Sequence, residues 1–121
     1  MQNTKQFMRE YFNTISGKAK TEEIVDKYVS DTSLKEHIRF YESAFPAYVL
    51  NPDDMVCEGN KVAVRATFRG KHLGEIMGIA ATGKEITGSA MMIYEVNNNK
   101  IVNFWIVVDQ FAFMQQLGVI K

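Results

Sequence analysis

Asp109 closes a β-patterned run from Ile101 to Val108, and on an extended strand Trp105, Val107 and Asp109 share one face. A carboxylate set beside a large aromatic and an aliphatic neighbour loses hydration and becomes a stronger base. Enzymes use such a group to take a proton from carbon next to a carbonyl. Asp109 is therefore the candidate general base. The same residue precedes Gln110 and a helical-looking segment, Phe111 to Leu117, where an aspartate serves equally as a helix N-cap. The two readings exclude each other only if the carboxylate points to solvent.

His72 follows Phe68 and Gly70 at even positions, so an unbroken strand aims it at the face of Val62 and Val64, where it could polarise a carbonyl. A histidine near a glycine-rich bend also serves as a plain hydrogen-bonding group. His37 lies beside the apolar stripe of a helix and carries no assigned role. Arg65 and Arg69 take the opposite strand face, free to meet a substrate carboxylate or to pair with acids such as Glu85 and Glu95. The five tyrosines, Tyr11, Tyr28, Tyr41, Tyr48 and Tyr94, could each bring a hydroxyl to a pocket. The expected pocket lining is Trp105, Val107, Phe68, Met92 and Tyr41. No phosphate loop, dinucleotide fingerprint, Gly-x-Ser-x-Gly elbow or His-Glu-x-x-His pattern occurs. With one cysteine and two histidines, a closed zinc site is not expected.

Helices must supply one wall of such a pocket. Phe7, Met8, Tyr11, Phe12 and Ile15 recur at helical spacing over Gln6 to Ile15, before Gly17. Thr21 is a plausible N-cap for a second helix to Val29, with Glu22 and Glu23 in its first turn. Ser33 and Glu36 form a Ser-x-x-Glu capping box for a third, whose stripe of Leu34, Ile38, Tyr41 and Phe45 stops at Pro46. From Tyr48 the period becomes two. Val62 to Phe68 and Ile86 to Val96 read as strands, and Asn97-Asn98-Asn99 joins the latter to Ile101–Val108 as a hairpin. Four glycines between Gly70 and Lys84 mark a bent loop expected to border the pocket. Helices followed by strands predict one α+β domain over residues 1–121, three helices covering one face of a curved, mainly antiparallel sheet.

Composition narrows the function further. A chain of 121 residues, 46% hydrophobic and 12% aromatic, can fill one core without disulfides or metal. Fourteen basic and fourteen acidic side chains cancel, which argues against nucleic acid or an anionic membrane as partner. The single cysteine, Cys57, and an opening without an apolar stretch predict a cytoplasmic protein. Seven methionines hint at an irregular apolar interior, since a thioether chain adapts to odd volumes.

The second half carries an ordered series: Glu58-Gly59-Asn60-Lys61-Val62-Ala63-Val64-Arg65, Arg69-Gly70-Lys71-His72-Leu73-Gly74, Thr82-Gly83-Lys84, Lys100-Ile101-Val102, Trp105-x-x-x-Asp109 and Gln115-Gln116-Leu117-Gly118. From about Ser33 onward this series resembles the SnoaL-like ester (polyketide) cyclase family. The resemblance implies a cystatin-like cone related to the ketosteroid isomerases, usually homodimeric, with a deep hydrophobic pocket for a small hydrophobic ligand. It also implies a cofactor-independent and metal-independent aldol ring closure, with Asp109 as acid and base and His72 stabilising enolate charge. Family members commonly carry Pro-Pro before Thr-Gly-Lys and Glu-His before the tryptophan, where this chain has Ala80-Ala81 and Asn103-Phe104. Two rivals are a binding module that only sequesters an apolar ligand and a dimeric scaffold of the same fold.

Overall fold

A computed structural model describes residues 4–118. Three helices come first, α1 (Thr4–Ile15), α2 (Glu22–Tyr28) and α3 (Thr32–Ala44). Four strands follow, β1 (Val49–Glu58), β2 (Lys61–Lys71), β3 (Glu85–Asn97) and β4 (Lys100–Val108), and then a short helix, α4 (Gln110–Leu117). The strands form one antiparallel sheet in the order β1-β2-β3-β4. The α+β arrangement with helices on one sheet face agrees with the sequence pattern.

Local chemistry sets the boundaries. The Thr21 side chain accepts from the Ile24 N–H and caps α2. At α3 the capping box is corrected: the N-cap is Asp31, whose carboxylate accepts from the Leu34 N–H at 2.9 Å, so Ser33 lies inside the helix. Asp caps as well as Ser, and its earlier position brings Thr32 and Ser33 into the helix. Asn98 and Asn99 both take positive φ, 51° and 59°, the pairing a tight two-residue hairpin turn demands. Tyr11, Phe12, Tyr28 and Tyr94 meet edge-on at 5.2–6.1 Å, locking α1 and α2 to β3.

Two bulges shape the sheet. Asp53 is the extra residue of β1 opposite β2. On β4, Asn103 pairs with Glu95 but Ile101 pairs with Val96, which leaves Val102 as an insertion. A bulge bends its strand, and one extra residue moves everything beyond it to the other face. Ile101 is buried against the helices; beyond Val102 the inward residues are Phe104, Ile106 and Val108.

That shift corrects the expected lining. Trp105 is 50% and Val107 74% exposed, and Asp109 is exposed with them on the outer face. The loop after β2 is corrected too. It borders a second apolar cluster of Ala44, Phe45, Ile76, Ile86, Phe113 and Leu117, with Ile76 buried in it, and no residue from 70 to 84 lines the cavity. Gly74 permits this packing, because a Cβ there would stand 2.2 Å from the Ser43 carbonyl oxygen.

Candidate functional site

An apolar cavity of about 50 Å³ lies between α1, α3 and the concave sheet face, with α4 at one side. Leu34, His37, Ile38 and Tyr41 reach it from α3, Tyr11 from α1, and Phe68, Met92, Tyr94, Phe104, Ile106 and Val108 from the sheet; Phe113 closes the wall from α4. The expected residues Phe68, Met92 and Tyr41 are therefore brought together. Trp105, Val107, Asp109 and His72 are not among the lining residues. The volume admits a few water-sized positions, so a larger ligand must push a rim ring aside.

Polar groups in this wall are few and neutral. Burial pushes the Tyr11, Tyr41, Tyr48 and Tyr94 hydroxyls above the ordinary tyrosine range, so all four keep their protons at neutral pH. The Tyr94 hydroxyl donates to the Met92 sulfur at 3.1 Å. Both rings are buried and no hydrogen bond joins the Tyr11 or Tyr48 hydroxyl to another described residue, but neither oxygen is sealed off as the His72 Nε2 is. Two hydroxyls that open onto free space in one apolar wall suit an oxygen-bearing ligand.

Tyr48 is held from behind. The Lys20 Nζ donates to the Tyr48 carbonyl at 2.7 Å and to the Lys18 carbonyl at 2.9 Å, and lies 3.6 Å from Glu42 and 3.8 Å from the Tyr48 ring centroid. Burial lowers its pKa to about 8, against the pull of Glu42. Glu42 in turn accepts from the Ala47 N–H at 3.1 Å. This network fixes the turn that presents Tyr48 to the cavity.

His37 is the residue that sequence reasoning passed over. It sits half-buried between Tyr41, 4.7 Å away by ring centroids, and Phe104, 5.5 Å away. Its spacing from Leu34 and Tyr41, three and four residues, was the available signal. Burial lowers its pKa below the usual imidazole value.

His72 is fully buried, at the edge of the second cluster against Phe45, 5.4 Å between ring centroids. Its Nδ1 accepts from the Thr82 N–H at 3.2 Å and lies 2.9 Å from the Thr82 hydroxyl, while Nε2 has no partner. Because Nδ1 is an acceptor, Nε2 carries the ring proton. The β2 alternation did put His72 inside, but beneath the 72–84 loop.

Asp109 caps α4, its Oδ1 accepting from the Ala112 N–H at 3.1 Å. It borders an open groove on the outer sheet face with Asp53, Arg65, Thr67, Met91 and Val107. There Asp53 is held below the usual carboxylate range by hydrogen bonds from Thr67 and Asn51. Arg65 lies 3.9 Å from Asp53, and Arg69 lies 3.6 Å from Glu85; both pairs are exposed to solvent and hold the chain's surface. Among the described residues no three His, Cys, Asp or Glu side chains gather as metal ligands, and no helix is long and apolar enough to cross a membrane.

Three helices and a fourth segment folded over a curved antiparallel sheet, with an apolar cavity in the concavity, define the α+β cone class. The chain belongs to the SnoaL-like polyketide cyclase family, whose model matches residues 3–117. Among solved structures it is similar to a SnoaL-like polyketide cyclase from Agrobacterium tumefaciens, 17% identical over 98% of this chain and all of that one, TM-score 0.78. It is similar also to TsrD from Streptomyces laurentii, 23% identical over 96% and 95% of the two chains, TM-score 0.77. A third is AclR from Streptomyces galilaeus, described as a candidate hydroxylase, 21% identical over 95% and 80%, TM-score 0.80. At these identities the likeness is one of fold. No curated protein matches the sequence.

Proposed function

We propose that this chain takes up a small hydrophobic compound bearing a carbonyl oxygen and performs cyclase-type acid–base chemistry on it in the cavity between α1, α3 and the sheet. The observation that carries this reading is the Tyr11 and Tyr48 hydroxyls, which line an otherwise largely apolar cavity without a hydrogen bond to another described residue. Apolar rings supply the burial energy, and the two hydroxyls select the oxygen and steady negative charge that develops on it. The exposed free thiol of Cys57 is consistent with work in the reducing cytoplasm.

The test is a titration of the ¹⁵N-labelled protein with 2-indanone and with its hydrocarbon, indane. The ketone is expected to bind at least five-fold more tightly, shifting amides around Tyr11, Tyr48 and Met92, and Ala90→Leu, which fills the cavity floor, is expected to abolish both. Equal affinity for ketone and hydrocarbon would remove the oxygen-selecting role; no binding of either would remove the reading.

Asp109 as the acid and base draws its support from the Trp-x-x-x-Asp resemblance, and its cap geometry offers none. Asp109→Asn keeps the cap and removes the base, so it serves as the control for that role.

A second copy of the chain is the proposed partner of the outer sheet face. Met91, Ile93, Trp105, Val107 and Val56 are 43–74% exposed there, a clustered apolar surface of the kind that marks protein contacts. Sedimentation equilibrium should show a dimer that Val107→Glu converts to monomer; a wild-type monomer at 100 μM contradicts it.

A further inference from the structure

We propose that His37 is the proton-transfer group of the cavity, taking a proton from the carbon beside a ligand carbonyl and returning it. The inference rests on the reading of the cavity as a site for a carbonyl compound. It follows first from what lines the wall. Among the described residues no Asp, Glu, Lys or Arg lines the cavity, and its four tyrosines hold their protons, so the imidazole is the single lining side chain of the described residues with a basic lone pair at neutral pH.

It follows also from how the ring is held. Tyr41 one turn along α3 and Phe104 across on β4 flank it, yet neither ring nitrogen has a hydrogen-bond partner among the described residues. His37 is half-buried, so its nitrogens stay within reach of a ligand in the cavity, whereas His72 is sealed under the 72–84 loop with Nδ1 held by Thr82. His37 is poised and unengaged. Burial also keeps it neutral at pH 7, the state a base requires.

The step balances without a co-reactant. An imidazole nitrogen takes the proton; the C–H electron pair becomes a C=C bond; the carbonyl π pair moves to oxygen, where the Tyr11 and Tyr48 hydroxyls donate to it. The imidazolium then gives the proton back to the same carbon, to another carbon, or to an oxygen, which yields exchange, isomerisation or, with an internal electrophile, ring closure.

Wild type, His37→Gln and Asp109→Asn are incubated with 2-indanone in D₂O, and loss of its α-proton signal is followed by ¹H NMR beside the binding titration. Wild type should exceed the buffer rate and slow as pH falls through the depressed imidazole pKa. His37→Gln should bind within three-fold of wild type but exchange about 100-fold more slowly, within the range for a lost general base. Asp109→Asn tests the rival base, and exchange retained there leaves the proton transfer to His37. Should His37→Gln misfold, the wild-type pH profile and movement of the His37 imidazole signals on adding ketone decide the matter, and a flat profile with unmoved signals overturns the role. Exchange unaffected in His37→Gln, or lost in Asp109→Asn, also overturns it while leaving the cavity reading intact. Binding without exchange overturns proton transfer alone, and no binding overturns both.

Discussion

The carboxylate of Asp109 is bonded to the backbone N–H of Ala112, 3.1 Å away, and this contact starts the helix that carries Phe113 into the cavity wall. Asp109→Ala should therefore cost about 1 kcal/mol in urea unfolding, the usual worth of an N-cap, while Asp109→Asn should be within a few tenths of wild type. If Asn costs as much as Ala, the carboxylate charge matters beyond capping.

Gln116 anchors the same helix from its other end. Its side-chain amide accepts from the Thr87 N–H and donates to the Thr87 carbonyl, filling a stretch of β3 that β4 does not reach. Gln116→Ala should lower stability by about 1 kcal/mol. It should also speed hydrogen exchange at the Thr87 amide and across α4, leaving β2 amides unchanged.

Gly74→Ala should be far worse than a loop substitution usually is. The new methyl would meet the Ser43 carbonyl oxygen at 2.2 Å, and that oxygen belongs to the backbone of α3. A loss of about 2–4 kcal/mol is expected by thermal or urea unfolding. Retained stability would mean that the 72–84 loop can shift away from α3.

Lys20 gives the fold a pH signature. Its folded pKa of about 8 lies below the ordinary 10.5, so the unfolded chain binds more protons between those values and stability rises with pH across them. The unfolding free energy of wild type relative to Lys20→Met should increase between pH 8 and about 10, and a flat difference would mean that the ammonium is solvated.

His37 acts at the acid end. Its pKa is lowered by burial, so below about 6.5 the unfolded chain takes the proton first and stability falls. Wild type should lose stability relative to His37→Gln on going from pH 7 to pH 5, and the imidazole NMR titration should have a midpoint below 6.5.

Much of this architecture was legible in the residues. Stripes such as Phe7, Met8, Tyr11, Phe12 and Ile15 determined the helices, period-two runs the strands, and Asn98-Asn99 the last hairpin. Helix ends were less so, because Asp31 and Ser33 are both good caps and only the backbone geometry chose between them.

What the sequence could not decide was sidedness. Alternation showed that Trp105, Val107 and Asp109 share a face, but a strand's period says nothing of which face meets the helices. The Val102 bulge changed the answer. Pairing with β3 turned Phe104, Ile106 and Val108 inward, sent Asp109 to the outer surface as a cap, and left His37 on α3 facing the space that they enclose. The residue types were set by the sequence; the register of one strand against its neighbour, a tertiary property of hydrogen bonding and core burial, assigned them their places.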